Sequence, residues 1–321
     1  MKPAIFFLSA LSLFAIDGTV VNRTSGKPAA EVPIVLMRLG DGGMMPVGTV
    51  KSGPDGKFKF DQPVDGPLLM QAMFNGVNYN KLLKPGDTGS NVELPIFDTG
   101  NKASDARVVQ HMMLVEPNEG KLTLNESIIV RNDSNRTYAD PAQGTYRFYV
   151  PSESKDTLQV RVTGPGGMPV KGDAAPAGPT NIYKLDFPIK PGESRFDFIY
   201  SMPLANPMKF TGKVLHNISD KASQLRLVTP SGVTLSGPDV EDLGTEPQTQ
   251  AQVYAVSKAD FTIGVTGTGS LHALEADETA MPEPQAIPPK INERMWWIVG
   301  LSLFALALGF VTLLRKPSVK A

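Results

Sequence analysis

Short apolar runs that alternate with polar residues dominate the chain, and turn residues punctuate them. Lys57-Phe58-Lys59-Phe60 is the cleanest case. Its period of two turns both phenylalanines to one core and both lysines to water, and Asp55-Gly56 just before it suits a tight hairpin turn. The same rhythm predicts strands at 16–22, 33–39, 45–50, 57–60, 67–74 and 90–94. Further strands are expected at 107–115, 121–131, 144–150, 158–163, 182–187, 195–200, 208–216, 224–228, 252–255 and 260–265. Periodic helical stretches are missing, and Gly (30) and Pro (28) fall between the apolar runs. The expected class is all-β: an N-terminal sandwich over 16–97 and a larger β-sandwich region over 106–274. The Gly/Pro/Ala-rich interval 164–180 divides the larger region, as a long loop of one sandwich or as a linker between two.

Two segments break this pattern. The apolar run from Ile5 to Ala15, preceded by Lys2, has the length of a signal-peptide core, so residues 1–15 are read as a signal peptide. At the other end, residues 296–314 carry no charge and as a helix would span roughly 29 Å, one hydrocarbon core. Trp296 and Trp297 stand at its front edge and Arg315 and Lys316 directly behind it, the expected membrane anchors. This predicts one transmembrane helix, a cytoplasmic tail over 315–321, and the bulk of the chain on the extracytoplasmic side. The proline-rich stretch 276–294 reads as an extended stalk holding the folded part off the bilayer.

Composition narrows the function classes. Net charge is −1 and no basic stripe occurs, which argues against a nucleic-acid partner. Cysteine is absent, so there is no disulfide framework, thiol nucleophile or thiolate metal site.

At the N-terminus, Gly18-x-Val20, then Gly26-Lys27-Pro28-Ala29-Ala30-Glu31-Val32-Pro33-Ile34-Val35-Leu36, then Thr49 and Asp55-Gly56-Lys57-Phe58-x-Phe60 resemble the carboxypeptidase regulatory-like (transthyretin-like) domain. The resemblance covers about a quarter of the chain. It implies a non-catalytic sandwich of seven or eight strands, of a kind attached to very different partners. The internal Lys–Asn isopeptide bond of related surface modules is not expected, because the first strand lacks the matching lysine. The texture of the remainder resembles immunoglobulin-like modules of bacterial envelope proteins.

Candidate chemistry is sparse. His111, His216 and His272 lie in separate segments without metal-ligand spacing and read as structural or surface residues. No nucleophile elbow, phosphate loop, dinucleotide fingerprint or zinc-peptidase motif occurs. Asp239, Glu241 and Asp242 gather three carboxylates in what reads as one loop, of interest to calcium but more simply solvated acids. Asp133 and Asp140 read as turn-capping residues. Tyr146 and Phe148 are expected on one face of their strand and Arg147 and Tyr149 on the other. Both tryptophans belong to the membrane edge, so the folded part lacks the flat platforms of many carbohydrate binders. The Asn-x-Ser/Thr sites at Asn22, Asn125, Asn132, Asn135 and Asn217 read as turn chemistry in a bacterial protein. The polar stretch 75–80, with Asn75, Asn78 and an exposed Tyr79, is the expected contact loop.

These features predict a single-pass bacterial envelope protein without cofactor, metal or catalytic residues. Its expected role is non-enzymatic binding or structural support, with a protein or glycan partner. Two alternatives remain open. One is an accessory subunit or assembly factor of a membrane complex, using Gly300, Ser302, Ala305 and Gly309 for helix contacts. The other is a carbohydrate-binding or carbohydrate-active protein built on dispersed acids.

Overall fold

A computed structural model describes residues 16–40, 43–103, 106–205, 207–215, 218 and 224–271. The expected signal peptide, stalk, transmembrane helix and tail lie outside the described residues, as do Trp296, Trp297, Arg315, Lys316, His216 and His272. Among the described residues no helix is long and apolar enough to cross a membrane.

The first part of the chain forms eight strands: β1 (Ile16–Asn22), β2 (Lys27–Pro28), β3 (Pro33–Gly40), β4 (Gly43–Lys51), β5 (Lys57–Phe60), β6 (Leu68–Phe74), β7 (Val77–Leu83) and β8 (Val92–Ile96). In one sheet β1 pairs antiparallel with β2 and β5 and parallel with β8. The other sheet is an antiparallel β4-β3-β6-β7 array. Alternation sends Ile16, Val20, Ile34, Leu36, Phe58, Phe60, Met70 and Leu94 into one shared apolar core. Each such fully buried side chain contributes about 1.5–3 kcal/mol.

Gly18 sits between Ile16 and Val20 on that inner face. A Cβ there would lie 2.0 Å from the Val92 carbonyl oxygen and 2.7 Å from the Phe58 ring, so only glycine lets β8 close against β1. In the turn before β5 only Gly56 adopts positive φ (76°). Asp55 accepts the Lys57 N–H instead, and this bond holds its carboxyl below the usual range.

The remaining strands are β9 (Thr99–Gly100), β10 (Ala106–Asn118), β11 (Lys121–Asn132), β12 (Thr137–Tyr138), β13 (Tyr146–Tyr149), β14 (Gln159–Thr163), β15 (Val170–Lys171) and β16 (Ala174–Pro176). After them come β17 (Ile182–Leu185), β18 (Gly192–Pro203), β19 (Met208–Lys213), β20 (Leu225–Thr229), β21 (Thr234–Ser236), β22 (Val240–Thr245), β23 (Gln252–Val256) and β24 (Asp260–Thr266). One eight-stranded sheet, β15-β14-β18-β11-β10-β20-β23-β22, runs the width of this region. Two three-stranded sheets, β13-β17-β16 and β19-β24-β21, accompany it. A single apolar core includes residues of all three sheets, from Ala106 to Val265.

The interval 164–180 is neither a plain loop nor a linker. Its strand β15 pairs with β14 in the large sheet, and β16 pairs with β17 in a small one, so the chain changes sheets at a corner between them. Gly172 makes the crossing, where a Cβ would meet Val160 at 2.7 Å and Val162 at 3.0 Å. On β13, Tyr146 and Phe148 face the core. Phe148 stacks on Phe198 at 4.0 Å between ring centres and Tyr146 on Phe196 at 5.2 Å.

Candidate functional site

The stretch expected to be an exposed contact loop is a hairpin. Asn75 (φ 50°) and Gly76 (φ 76°) occupy the two positive-φ positions of the tight turn between β6 and β7. Asn75 and Asn78 are exposed, but Tyr79 is buried, which corrects its reading as an exposed aromatic. The physical reason is phase: Val77, Tyr79 and Leu83 are the inward positions of β7.

Tyr79 lies instead where the first eight strands meet the later part of the chain. Its hydroxyl donates to the Phe97 carbonyl at 2.8 Å and shares a 2.9 Å hydrogen bond with Thr137 Oγ1 of β12. The Lys190 Nζ stands 5.3 Å from the ring centre, a cation–π contact. Burial pushes the Tyr79 hydroxyl above the ordinary tyrosine range and the Lys190 ammonium below that of lysine. Around them β9 pairs parallel with β12. Thr24 Oγ1 donates to the Asn135 carbonyl at 2.5 Å, and Asn22 Nδ2 donates to Asp98 at 2.8 Å. A row of side-chain and backbone bonds thus fastens the strands around one apolar core to those around the other.

His111 is buried, the structural one of its two expected settings. A bulge between Val108 and Gln110 shifts the register of β10, so the inward set passes from Ala106 and Val108 to His111, Met113 and Val115. His111 Nε2 meets Glu126 Oε1 of β11 at 2.6 Å, with both side chains buried. Tyr146 and Tyr200 share this interior. Burial first, and then the Glu126 charge, pushes their hydroxyls well above the usual range. The pair is a satisfied polar element of the core.

The three acids at 239–242 do not share a loop. Val240–Thr245 is the edge strand β22, so Glu241 and Asp242 are successive strand positions that project to opposite faces. Asp239 pairs with Lys258 at 2.7 Å, and Asp242 accepts from the Gly244 N–H and from Gln252. Among the described residues no three histidine, aspartate or glutamate side chains converge as a metal site. Asp133 pairs with Arg107 at 2.8 Å, while Asp140 accepts the Gln143 N–H at 2.9 Å and caps its turn. The Asn132 amide is consumed inside, donating to the carbonyls of Arg136 and Ile189.

A groove of about 950 Å³ opens at the corner where β15 gives way to β16. Neither its basic residues nor its position stood out in the sequence, because its lining comes from three separate stretches between Lys155 and Tyr183.

No family model matches the chain, and no curated protein matches it. Among solved structures, an M1 zinc metallopeptidase from Deinococcus radiodurans aligns with a TM-score of 0.27 and 9% identity over 50% of this chain and 42% of the peptidase. A two-domain mutant of an M1 zinc metallopeptidase bound to L-tryptophan aligns at 0.27 and 10% identity, over 50% of this chain and 43% of that one. This chain therefore spans less than half the length of these structures, and likeness at that level supports no conclusion about activity.

Proposed function

We propose that this chain is a non-catalytic binding protein of the bacterial envelope, carried on the extracytoplasmic side by a membrane span at 296–314. In this reading the N-terminal sandwich is a carboxypeptidase regulatory-like module, and its eight strands in two sheets suit that class. The observation that carries the reading is the junction at Tyr79. Two apolar cores are joined through buried hydrogen bonds instead of a free linker, so the surfaces of both keep a fixed geometry. Fixed presentation is what a partner-binding arm requires, because surfaces ordered in advance lower the cost of association.

Affinity purification of the full-length protein from its native membrane, with mass spectrometry of what accompanies it, tests the proposal. A reproducible partner that is lost when Tyr79→Ala loosens the junction is the expected result. Turnover of a substrate by the purified protein, abolished by one point substitution, would overturn it.

A further inference from the structure

The corner groove carries an unbalanced charge. Lys155, Arg161 and Lys171 line it against a single carboxylate, Asp173. Arg161 on β14 stands directly opposite Lys171 on β15, and like charges in facing positions repel. On its other side Arg161 faces Asp197 of β18, but both oxygens of that carboxylate are taken by Arg195 Nε at 2.8 and 2.9 Å. Among the described residues no acid forms an ion pair with Lys155, Arg161 or Lys171. An incoming anion would relieve this repulsion.

The rest of the groove selects the kind of anion. Tyr183 forms part of the wall, half-buried and stacked on Phe148 at 6.0 Å, so its ring is held in place. The volume of about 950 Å³ is at the upper end of pockets that take small ligands, and suits a short chain of rings. An acidic peptide adding as a strand is disfavoured. The edge strand β15 is two residues long, Pro169 precedes it, and the Gly172 N–H after it already donates to the Val160 carbonyl at 2.9 Å. A ligand here is read by side chains, not by a row of free backbone groups.

We infer that the groove binds an acidic oligosaccharide, with sugar carboxylates held by Lys155, Arg161 and Lys171 and one ring laid against Tyr183. This deepens the binding role proposed above and rests on it, but does not require the membrane span.

The test uses the full-length protein in detergent micelles, titrated calorimetrically with tetragalacturonate, neutral maltotetraose and a polyglutamate peptide of equal charge. Tetragalacturonate is expected to bind with an affinity that falls as salt rises. The double variant Arg161→Ala/Lys171→Ala should weaken it by about tenfold or more, as loss of charge-assisted hydrogen bonds does. Its melting temperature should hold or rise as the facing charges are removed. Tyr183→Leu should also weaken binding, whereas Lys57→Ala/Lys59→Ala, which removes equal charge from the N-terminal sandwich, should leave it unchanged. Absent binding, or binding equal in the double variant, overturns the inference. Equal affinity for maltotetraose removes the role of charge, and equal affinity for polyglutamate assigns the groove to acidic peptides; either also overturns it. If tetragalacturonate fails while a partner still co-purifies from the membrane, only the groove assignment falls. If both fail, the binding role falls with it.

Discussion

Replacing Tyr79 by phenylalanine removes one oxygen from the junction and leaves the ring. The residue is 3% exposed and Thr137 is fully buried, so water cannot take the place of the lost hydroxyl. The Phe97 carbonyl loses its 2.8 Å donor and Thr137 Oγ1 its 2.9 Å acceptor. A buried polar group deprived of its partner costs about 1–3 kcal/mol, and Tyr79→Phe should fall in that range. Thr137→Val is milder, about 1 kcal/mol, because the tyrosine still donates to Phe97. The two substitutions share one hydrogen bond, so the double variant should cost less than the sum of the singles by about 1 kcal/mol.

Urea unfolding of the full-length protein in micelles, followed by circular dichroism, gives the three free energies. Hydrogen exchange in the β6–β7 hairpin and in the β11–β18 pair reads the two cores separately. In the unsubstituted protein both should open together, and Tyr79→Phe should let the hairpin open at lower urea than the β11–β18 pair. A Tyr79→Phe cost within about 0.5 kcal/mol of zero would refute the reasoning, because that is the scatter of inconsequential surface changes. Strict additivity of the two substitutions would refute it as well.

Gly18→Ala should cost about 3 kcal/mol or more, because the new methyl meets a backbone carbonyl that cannot swing away, and thermal unfolding reads it directly. His111→Leu or Glu126→Met alone should each destabilise by about 1–3 kcal/mol by leaving a buried partner without its hydrogen bond, whereas the double change to Leu and Met should cost less than either single; denaturant midpoints decide it. Alkali should lower the melting temperature above about pH 10. There the unfolded tyrosines ionise while burial holds the hydroxyls of Tyr79, Tyr138, Tyr146 and Tyr200 protonated in the fold, so stability present below the unfolded pKa is lost as pH rises. Lys190, with its pKa lowered by burial, acts in the opposite sense as the pH climbs toward that of free lysine, one group against four.

The all-β class was legible because it depends on period alone. Phe58 and Phe60, or Phe196, Phe198 and Tyr200, keep the same phase for the whole length of their strands. The β7 hairpin was missed, although Asn75-Gly76 followed by Val77-x-Tyr79 is a turn signal with alternation behind it. The density of asparagines makes that stretch look like a loop, yet Asn78 and Asn80 are simply its outward positions. Phase is lost where the chain adds a residue. The bulge before His111 reverses which positions face inward, and nothing local in Val108-Val109-Gln110 announces it.

The groove was hidden for a related reason. Lys155, Arg161 and Lys171 are ordinary surface cations when read singly, and Arg161 meets Lys171 only because part of residues 164–180 folds back on β14 as β15. The glycines and prolines that let the interval read as a long loop or a linker are what allow the turn, with Gly172 passing where a Cβ would strike Val160. A substitution at Gly172 should therefore do what a substitution in a true linker would not. Gly172→Ala should cost about 1–3 kcal/mol through overpacking against Val160 and Val162, and weaken tetragalacturonate binding in the same variant by displacing Lys171 from Arg161. If unfolding and calorimetry find stability and affinity both unchanged, Gly172 is not packed against Val160 and Val162, and its crossing does not shape the groove.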